Sequence, residues 1–179
     1  MLYSASYESP FGPRTLLSDG ESLVGLGGAQ TKYFPPLLRG GVTEKPELAI
    51  FAETKDWLGR YFAGRKPAIS SLRLAPAGSV FRRAVWEVLC DIPYGQWTTY
   101  GQVAKTVAER LGKTSLSGQT VGGAVGHNPI GIIIPCHRVV GANGSLTGYG
   151  SGIAIKARLL EHEGLDMSNF FIPDKGTAL

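Results

Sequence analysis

A stretch with proline and glycine, residues 65–78, divides this chain into two halves with different hydrophobic patterns. It contains Pro67, Pro76 and Gly78 and shows no regular spacing of apolar residues. Segments of this kind connect compact units, because proline and glycine interrupt regular elements. We therefore predict an N-terminal domain that ends with this linker at residue 78, and a C-terminal domain over residues 79–179.

The first half predicts a small sheet with one helix packed on it. Up to about Phe34, short apolar runs alternate with turn sequences such as Asp19-Gly20, which is typical of an antiparallel meander. Over residues 47–62, apolar residues recur largely at helical intervals, so this segment is predicted to be an amphipathic helix. Its carboxylates lie on turns or on the solvent side, and we expect a structural role for this half.

The second half predicts three short helices in succession. Ser79 is a suitable N-cap for the first, and Thr99 with Gln102 fits a capping box that begins the second. After a polar turn, the third covers residues 116–126. Two short helices joined by a tight turn, in a chain of net charge +4, indicate a helix-turn-helix that binds DNA.

The third helix is rich in small residues, with glycine at positions 118, 122, 123 and 126. Each glycine costs about 1 kcal/mol relative to alanine in a helix interior. One reason for so thin a helix is entry into a narrow groove of DNA. The other is close packing on the protein's own core, and the sequence leaves both interpretations open.

Cys136 is the strongest candidate for chemistry. It lies in the run Ile132–Val140, between Pro135 and His137, and a glycine-rich turn follows. A cysteine attacks as the thiolate, and a nearby imidazole can lower its pKa. We expect the run to be a strand whose following turn leaves the thiol near the surface. Cys90, within an apolar helical pattern, is interpreted as a core residue.

Cysteine content and hydropathy exclude several classes of protein. Two cysteines without a Cys-x-x-Cys or His-rich pattern predict neither a disulfide framework nor a zinc site, and we expect no metal and no cofactor. No apolar run approaches the roughly 20 residues that a membrane span needs, and the N-terminus lacks the pattern of an export signal. We therefore expect a soluble cytoplasmic protein with no membrane partner.

The surroundings of Cys136 resemble the active-site region of the O6-alkylguanine-DNA alkyltransferases. The sequence has Gly122-Gly123-Ala124, Asn128-Pro129, Pro135-Cys136-His137-Arg138-Val139 and Gly148-Tyr149 in the order of that family. The similarity extends from Ser79 to Gly164. It implies an α+β fold, with an N-terminal ribonuclease-H-like α/β lobe in a supporting role. A mainly helical C-terminal lobe would carry the helix-turn-helix and the active site.

The resemblance also implies DNA repair by direct reversal of damage. In that family a cysteine takes the alkyl group from O6-alkylguanine and keeps it, so each molecule acts once; we also expect activity on O4-alkylthymine. The damaged base must be flipped out of the duplex before the thiol can reach it. The glycine-rich helix would lie in the minor groove of double-stranded DNA. We expect a monomer in solution that can assemble cooperatively on DNA.

Catalytic roles follow from the same match. Cys136 is expected to be the nucleophile and His137 its base, acting through a bridging water, with Glu163 orienting the imidazole. Asn128 is expected to hold the backbone that carries Cys136. Tyr100 is expected to donate its hydroxyl toward the leaving guanine, the alternative being simple packing.

Two departures from the family pattern affect the expected contacts with the damaged DNA. Gln119 stands where the family commonly has an arginine that fills the gap left by the flipped base, and glutamine brings no charge. Gly131 stands where the family commonly has a proline, and we expect it to widen the pocket for larger alkyl groups. The residues expected to contact DNA or line the pocket are Gln119, Gly122, Gly123, Ala124, Gly131, Pro135, Arg138, Val139, Gly148, Tyr149, Gly150 and Ser151.

Two other functional classes remain open. An alkyltransferase-like binding protein keeps the helix-turn-helix and the pocket but lacks the acceptor thiol, so Cys136 argues against it. A cysteine hydrolase built on Cys136 and His137 would need an oxyanion hole and access for water after acylation. The sequence pattern gives no independent support for either of those features.

Overall fold

A computed structural model describes residues 1–28, 31 and 40–173. Contacts divide the chain into two units, the first comprising residues 1–77 and 129–133. The second comprises residues 78–128 and the chain from residue 134 onward. The first division falls at the end of the predicted linker. No sequence pattern indicates that residues 129–133 belong to the first unit.

The first unit is built on a four-stranded sheet in the order β3-β2-β1-β4. Its strands are β1 (Leu2–Ser9), β2 (Gly12–Ser18), β3 (Leu23–Gly27) and β4 (Val42–Glu44). The predicted antiparallel meander is confirmed for β1 to β3, whereas β4 pairs with β1 in parallel. The last part of the predicted meander, toward Phe34, lies outside the described residues.

Helix α1 (Ala49–Phe62) contacts β2 and β3 with its apolar face, as the spacing predicts. The buried side chains on this face are Ile50, Phe51, Thr54, Trp57, Leu58 and Tyr61. Burying one large apolar side chain contributes about 1.5–3 kcal/mol, so this face accounts for much of the stability of the unit.

The second unit contains three capped helices in succession: α2 (Val80–Cys90), α3 (Tyr100–Arg110) and α4 (Gly118–Gly126). The side chains of Ser79, Thr99 and Ser117 each accept a hydrogen bond from the backbone N–H three residues on. Such a cap contributes about 1 kcal/mol. Because Ser117 is the cap, α4 begins two residues later than predicted.

The predicted strand over Ile132–Val140 is wrong for all but its last two residues. Cys136–Arg138 is a 3-10 helix, and β6 (Val139–Val140) pairs in parallel with β5 (Thr98–Thr99). Proline has no N–H for a strand ladder, and Ile132 has a positive φ of 70°, so the segment before Cys136 cannot stay extended. Helix α5 (Ile153–His162) follows β6. None of the helices described is long and apolar enough to cross a membrane.

Candidate active site

Cys136 is buried, at 6% exposure, in contrast to the surface position that we predicted. The Asn128 side-chain amide donates to Sγ of Cys136 at 3.1 Å and to the backbone carbonyl of Ile134 at 2.8 Å. One amide group therefore fixes both the sulfur and the backbone two residues before it. The position of Asn128 is the one required if it holds the backbone that carries Cys136, as we predicted.

His137 and Glu163 form a buried pair behind the thiol. Nε2 of His137 lies 2.7 Å from Oε1 of Glu163. Arg138 donates from Nε and Nη2 to the two oxygens of the same carboxylate, both at 2.9 Å. Burial opposes ionisation of Glu163, but the bonds from His137 and Arg138 together lower its pKa well below the usual value. Glu163 is therefore an anion at neutral pH.

The ionised carboxylate fixes the tautomer of the histidine. Nε2 carries the proton that Glu163 accepts, so Nδ1 presents a lone pair. This Nδ1 is buried and has no hydrogen-bond partner among the described protein atoms. A buried nitrogen without a partner is costly unless water or a substrate proton reaches it. Nδ1 is thus available as a proton acceptor next to Cys136.

Burial sets the resting protonation of Cys136 and His137. It raises the pKa of the Cys136 thiol, although the Asn128 amide and the charge of Lys156 act in the opposite direction. It also lowers the pKa of His137, against the effect of Glu163. A neutral thiol beside a neutral imidazole is therefore the resting pair at neutral pH. The thiolate forms when a proton leaves the sulfur, rather than being permanently present.

Lys156 is a buried cation that our sequence analysis missed. It lies on α5 with 0% exposure, and its Nζ donates to the carbonyls of Val139 and Thr147 at 2.5 and 2.6 Å. Burial lowers its pKa to about 8, and the negative charge that Cys136 carries as a thiolate acts in the opposite direction. The signal was present in the sequence, because Lys156 falls on the apolar side of α5 with Leu159 and Leu160.

A cavity of about 480 Å³ lies between α4 and the loop before α5. Its lining residues are Tyr100, Gly118, Gln119, Gly122, Gly123, Thr147 and Gly148. The Tyr100 hydroxyl donates to the carbonyl of Thr147 at 2.9 Å, and burial raises its pKa, so it stays protonated. Pockets of this volume hold molecules the size of a nucleobase.

The glycines of α4 differ in what surrounds them. A Cβ on Gly118 would meet Cβ of Tyr100 at 3.3 Å, so this glycine allows α3 and α4 to pack closely. A Cβ on Gly123 would meet nothing within 4 Å. Gln119 is exposed and, like Gly122 and Gly123, borders the cavity.

Several residues expected to contact DNA or the base lie elsewhere. Arg138 is 4% exposed and bound to Glu163, so its guanidinium belongs to the histidine–carboxylate pair, and we correct its assignment. Ala124 is 4% exposed, and its carbonyl accepts from Trp86 Nε1. Gly131 lies against Leu26 rather than on the cavity wall.

The remaining predicted wall residues are buried or half-buried. Pro135, Val139 and Tyr149 are buried, and the ring of Tyr149 lies edge-on to His137, with 6.5 Å between centroids. Gly150 and Ser151 are half-buried. No group of three or more His, Cys, Asp or Glu side chains in the described part of the chain could hold a metal ion.

The fold and the site define a cysteine-dependent protein in which a buried thiol is backed by a histidine–carboxylate pair. A family model for the 6-O-methylguanine DNA methyltransferase ribonuclease-like domain matches residues 2–76. A model for the DNA binding domain of the same methyltransferase matches residues 80–165. These matches span most of the sequence, so the chain belongs to the 6-O-methylguanine DNA methyltransferase family.

Similar proteins agree with this assignment over nearly the whole chain. A methylated-DNA–protein-cysteine methyltransferase of Haemophilus influenzae is 38% identical over 98% of this chain and 91% of its own length. Its counterpart in Methanosarcina acetivorans is 40% identical over 91% of this chain and 99% of its own. A crystal structure of Mycobacterium tuberculosis OGT in complex with DNA has a TM-score of 0.78 at 38% identity and covers 94% of both chains.

Proposed function

We propose that this chain repairs DNA by moving the alkyl group of O6-alkylguanine, and of O4-alkylthymine, onto its own Cys136. The observation that carries the proposal is the buried thiol held by Asn128, followed in the chain by a histidine whose buried Nδ1 has no hydrogen-bond partner among the described protein atoms. The names of the full-length relatives describe the same chemistry.

Transfer is a displacement at the alkyl carbon. The sulfur–carbon bond forms as the bond from carbon to the base oxygen breaks, and the thiol proton passes through a water to Nδ1 of His137. Glu163 stabilises the imidazolium that results, as a carboxylate does in a protease triad. The Tyr100 hydroxyl in the cavity wall donates a hydrogen bond that stabilises the leaving base. The base takes up the proton that left Cys136, which the His137 imidazolium returns through water, so both Tyr100 and His137 end neutral. The product is a thioether, so each molecule reacts once.

DNA binding follows from α4 and the adjoining cavity. A base inside a duplex cannot reach a buried thiol, so the damaged nucleotide is flipped into the cavity bordered by Tyr100 and Gly148. The open side of α4 at Gly123 suits the minor groove, where bulky side chains do not fit. We further propose that the protein is a monomer that can assemble cooperatively on DNA. A cytoplasmic location suits the reduced thiol that the reaction needs.

The proposal is tested by the intact mass of the protein after incubation with an oligonucleotide carrying one O6-methylguanine. A gain of one methyl group on the protein, with unmodified guanine left in the DNA, is the expected result. Tight binding without a mass gain would indicate a damage-recognition protein. Loss of methyl from the DNA without retention on the protein would indicate a hydrolase.

Replacing Gln119 by arginine should strengthen DNA binding. The side chain is exposed beside the cavity, and an added cation next to the phosphates gains from counterion release. We expect binding to tighten roughly tenfold at low salt, with the slope of log K against log salt steeper by about 0.9. Fluorescence anisotropy across a salt series measures both quantities.

Gln96→Arg is the matched control, because Gln96 is exposed and does not border this cavity. It adds the same charge to the second unit. An equal gain from both variants would mean that net charge, rather than the position of residue 119, controls the affinity.

Replacing Lys156 by methionine should make Cys136 harder to deprotonate. An opposite charge within about 4–6 Å lowers the pKa of an acid by 1–3 units, and the charge of Lys156 lowers that of Cys136. We expect the reaction of Cys136 with iodoacetamide at pH 7 to slow by roughly tenfold or more. Arg158→Met removes an exposed cation from the same helix and should leave that rate unchanged. Equal rates in all three proteins would exclude an electrostatic role for Lys156.

A further inference from the structure

Hydrogen bonds join residues 129–133 to β3, an edge strand of the first unit. This segment ends three residues before the expected nucleophile, Cys136. The Leu26 N–H in β3 donates to the carbonyl of Pro129 at 2.8 Å. The Leu26 carbonyl accepts from the Gly131 N–H at 3.0 Å, and Leu26 and Ile130 form an isolated parallel bridge. We call these two hydrogen bonds the β3 clamp.

Two tight turns connect the clamp to Cys136. The Ile133 N–H donates to the Gly131 carbonyl at 2.8 Å, which makes a γ-turn centred on Ile132 with a φ of 70°. A γ-turn with positive φ is rare and strained, and a β-branched residue at such a φ is an outlier. Strain of this kind persists only where the surrounding structure enforces it. The clamp on one side of the turn supplies such enforcement.

The second turn ends at the nucleophile, Cys136. The Cys136 N–H donates to the Ile134 carbonyl at 2.8 Å across Pro135, which has φ −83° and ψ 60°. The same Ile134 carbonyl accepts the Asn128 amide that also reaches the sulfur. Because the chain between Gly131 and Cys136 folds into two turns without slack, a shift of Gly131 moves Ile134. It thereby disturbs the hydrogen bond from Asn128 to Sγ.

We propose that the β3 clamp, through Gly131 and the strained turn at Ile132, positions Cys136 for reaction. The first unit then has a direct part in the reactivity of the thiol, in addition to its expected supporting role. This inference deepens the proposed alkyl transfer and concerns the same cysteine. It also replaces our expectation for Gly131, whose backbone N–H is engaged with Leu26 and which does not line the cavity.

The chain offers a matched pair of variants at this position. Gly131→Pro removes the N–H that donates to the Leu26 carbonyl. The preceding residue, Ile130, already forms a β-bridge with Leu26, so its backbone has the extended conformation that a following proline requires. Gly131→Ala keeps the N–H, and its Cβ would meet the Leu26 carbonyl oxygen at 3.4 Å, an ordinary contact. The two variants differ in the hydrogen bond to Leu26, and the proline ring also occupies the space of the lost N–H.

The experiment measures Cys136 reactivity with and without DNA, in a Cys90→Ala background that leaves one thiol. We expect Gly131→Pro to slow the reaction with iodoacetamide at pH 7 to 8 by roughly three- to tenfold, the equilibrium weight of one hydrogen bond. The pH of half-maximal reactivity should rise. Methyl transfer at saturating DNA should slow similarly, with the Kd for DNA unchanged. Gly131→Ala should match the parent in all of these.

The proposal would be overturned if Gly131→Pro lowered the melting temperature but left the iodoacetamide rate and its pH profile unchanged. The clamp would then contribute to stability alone. If Gly131→Pro does not fold, Ile132→Gly tests the same inference, because glycine adopts positive φ freely and slackens the turn. Ile132→Val is its control. Iodoacetamide needs no DNA, so this result stands even if alkyl transfer to Cys136 fails.

Discussion

Replacement of Cys136 by alanine will abolish transfer of a methyl group from O6-methylguanine DNA to this protein. Cys136 is the thiol to which the Asn128 amide donates, and it directly precedes the histidine that is paired with Glu163. Burial raises the pKa of Cys90 to about 11, with Asp91 and Glu87 adding to the shift. We expect the rate of transfer to fall below detection in Cys136→Ala and to be unchanged in Cys90→Ala. Intact mass and peptide mapping after incubation measure this.

The Cys90→Ala control separates the two thiols of the chain. Cys136→Ala should still bind the damaged oligonucleotide, because α4 and the cavity wall do not include the sulfur. A methyl group found on Cys136→Ala protein would assign the acceptor elsewhere. Loss of DNA binding in the same variant would mean that the thiol also holds the structure of the pocket.

Local signals in the sequence were sufficient to predict the helices α1, α2 and α3. Ser79 and Thr99 each begin a helix with the cap that their side chains predict, since a cap depends on residues within one turn. The helix α1 follows from its apolar spacing alone. Ser117 was overlooked as a cap because Leu116 extends the apolar pattern by one residue.

The surroundings of Cys136 were harder to predict, because they depend on distant parts of the chain. Periodicity favoured a strand before Cys136, but the bond between Leu26 and Gly131 joins residues more than a hundred positions apart. Arg138 was expected to contact DNA or line the pocket, but it is 4% exposed. Its partner Glu163 lies 25 residues away, and only the fold brings them together. The family resemblance supplied Glu163, whereas spacing alone did not.

Replacement of Glu163 by glutamine will both destabilise the protein and nearly stop transfer. Glutamine keeps the shape of the side chain but leaves the Arg138 guanidinium buried without its anion, with side-chain exposures of 5% and 0% for the pair. Breaking a buried pair from one side costs about 3–5 kcal/mol. Nδ1 of His137 also becomes a weaker base, because the imidazolium loses its carboxylate. We expect single-turnover transfer at saturating DNA to slow by roughly 10²–10⁴-fold.

The stability difference between the parent and Glu163→Gln should depend on pH. The folded-state pKa of Glu163 is lowered, so its stabilisation is present above the ordinary carboxyl pKa and is lost as the pH falls through the folded value. The difference in unfolding free energy between the parent and Glu163→Gln should therefore be constant from neutral pH to about pH 5 and shrink in acid. Urea unfolding across that range measures it.

A double variant separates the two roles of the carboxylate. Arg138→Met with Glu163→Gln removes both charges, so no ion is left buried alone, and most of the lost stability should return. Transfer should stay slow, because His137 still lacks the anion that stabilises its cation. Recovery of the transfer rate together with stability would show that Glu163 only neutralises Arg138. Slow transfer in a stable protein would instead assign the carboxylate to the proton path from Cys136 to His137.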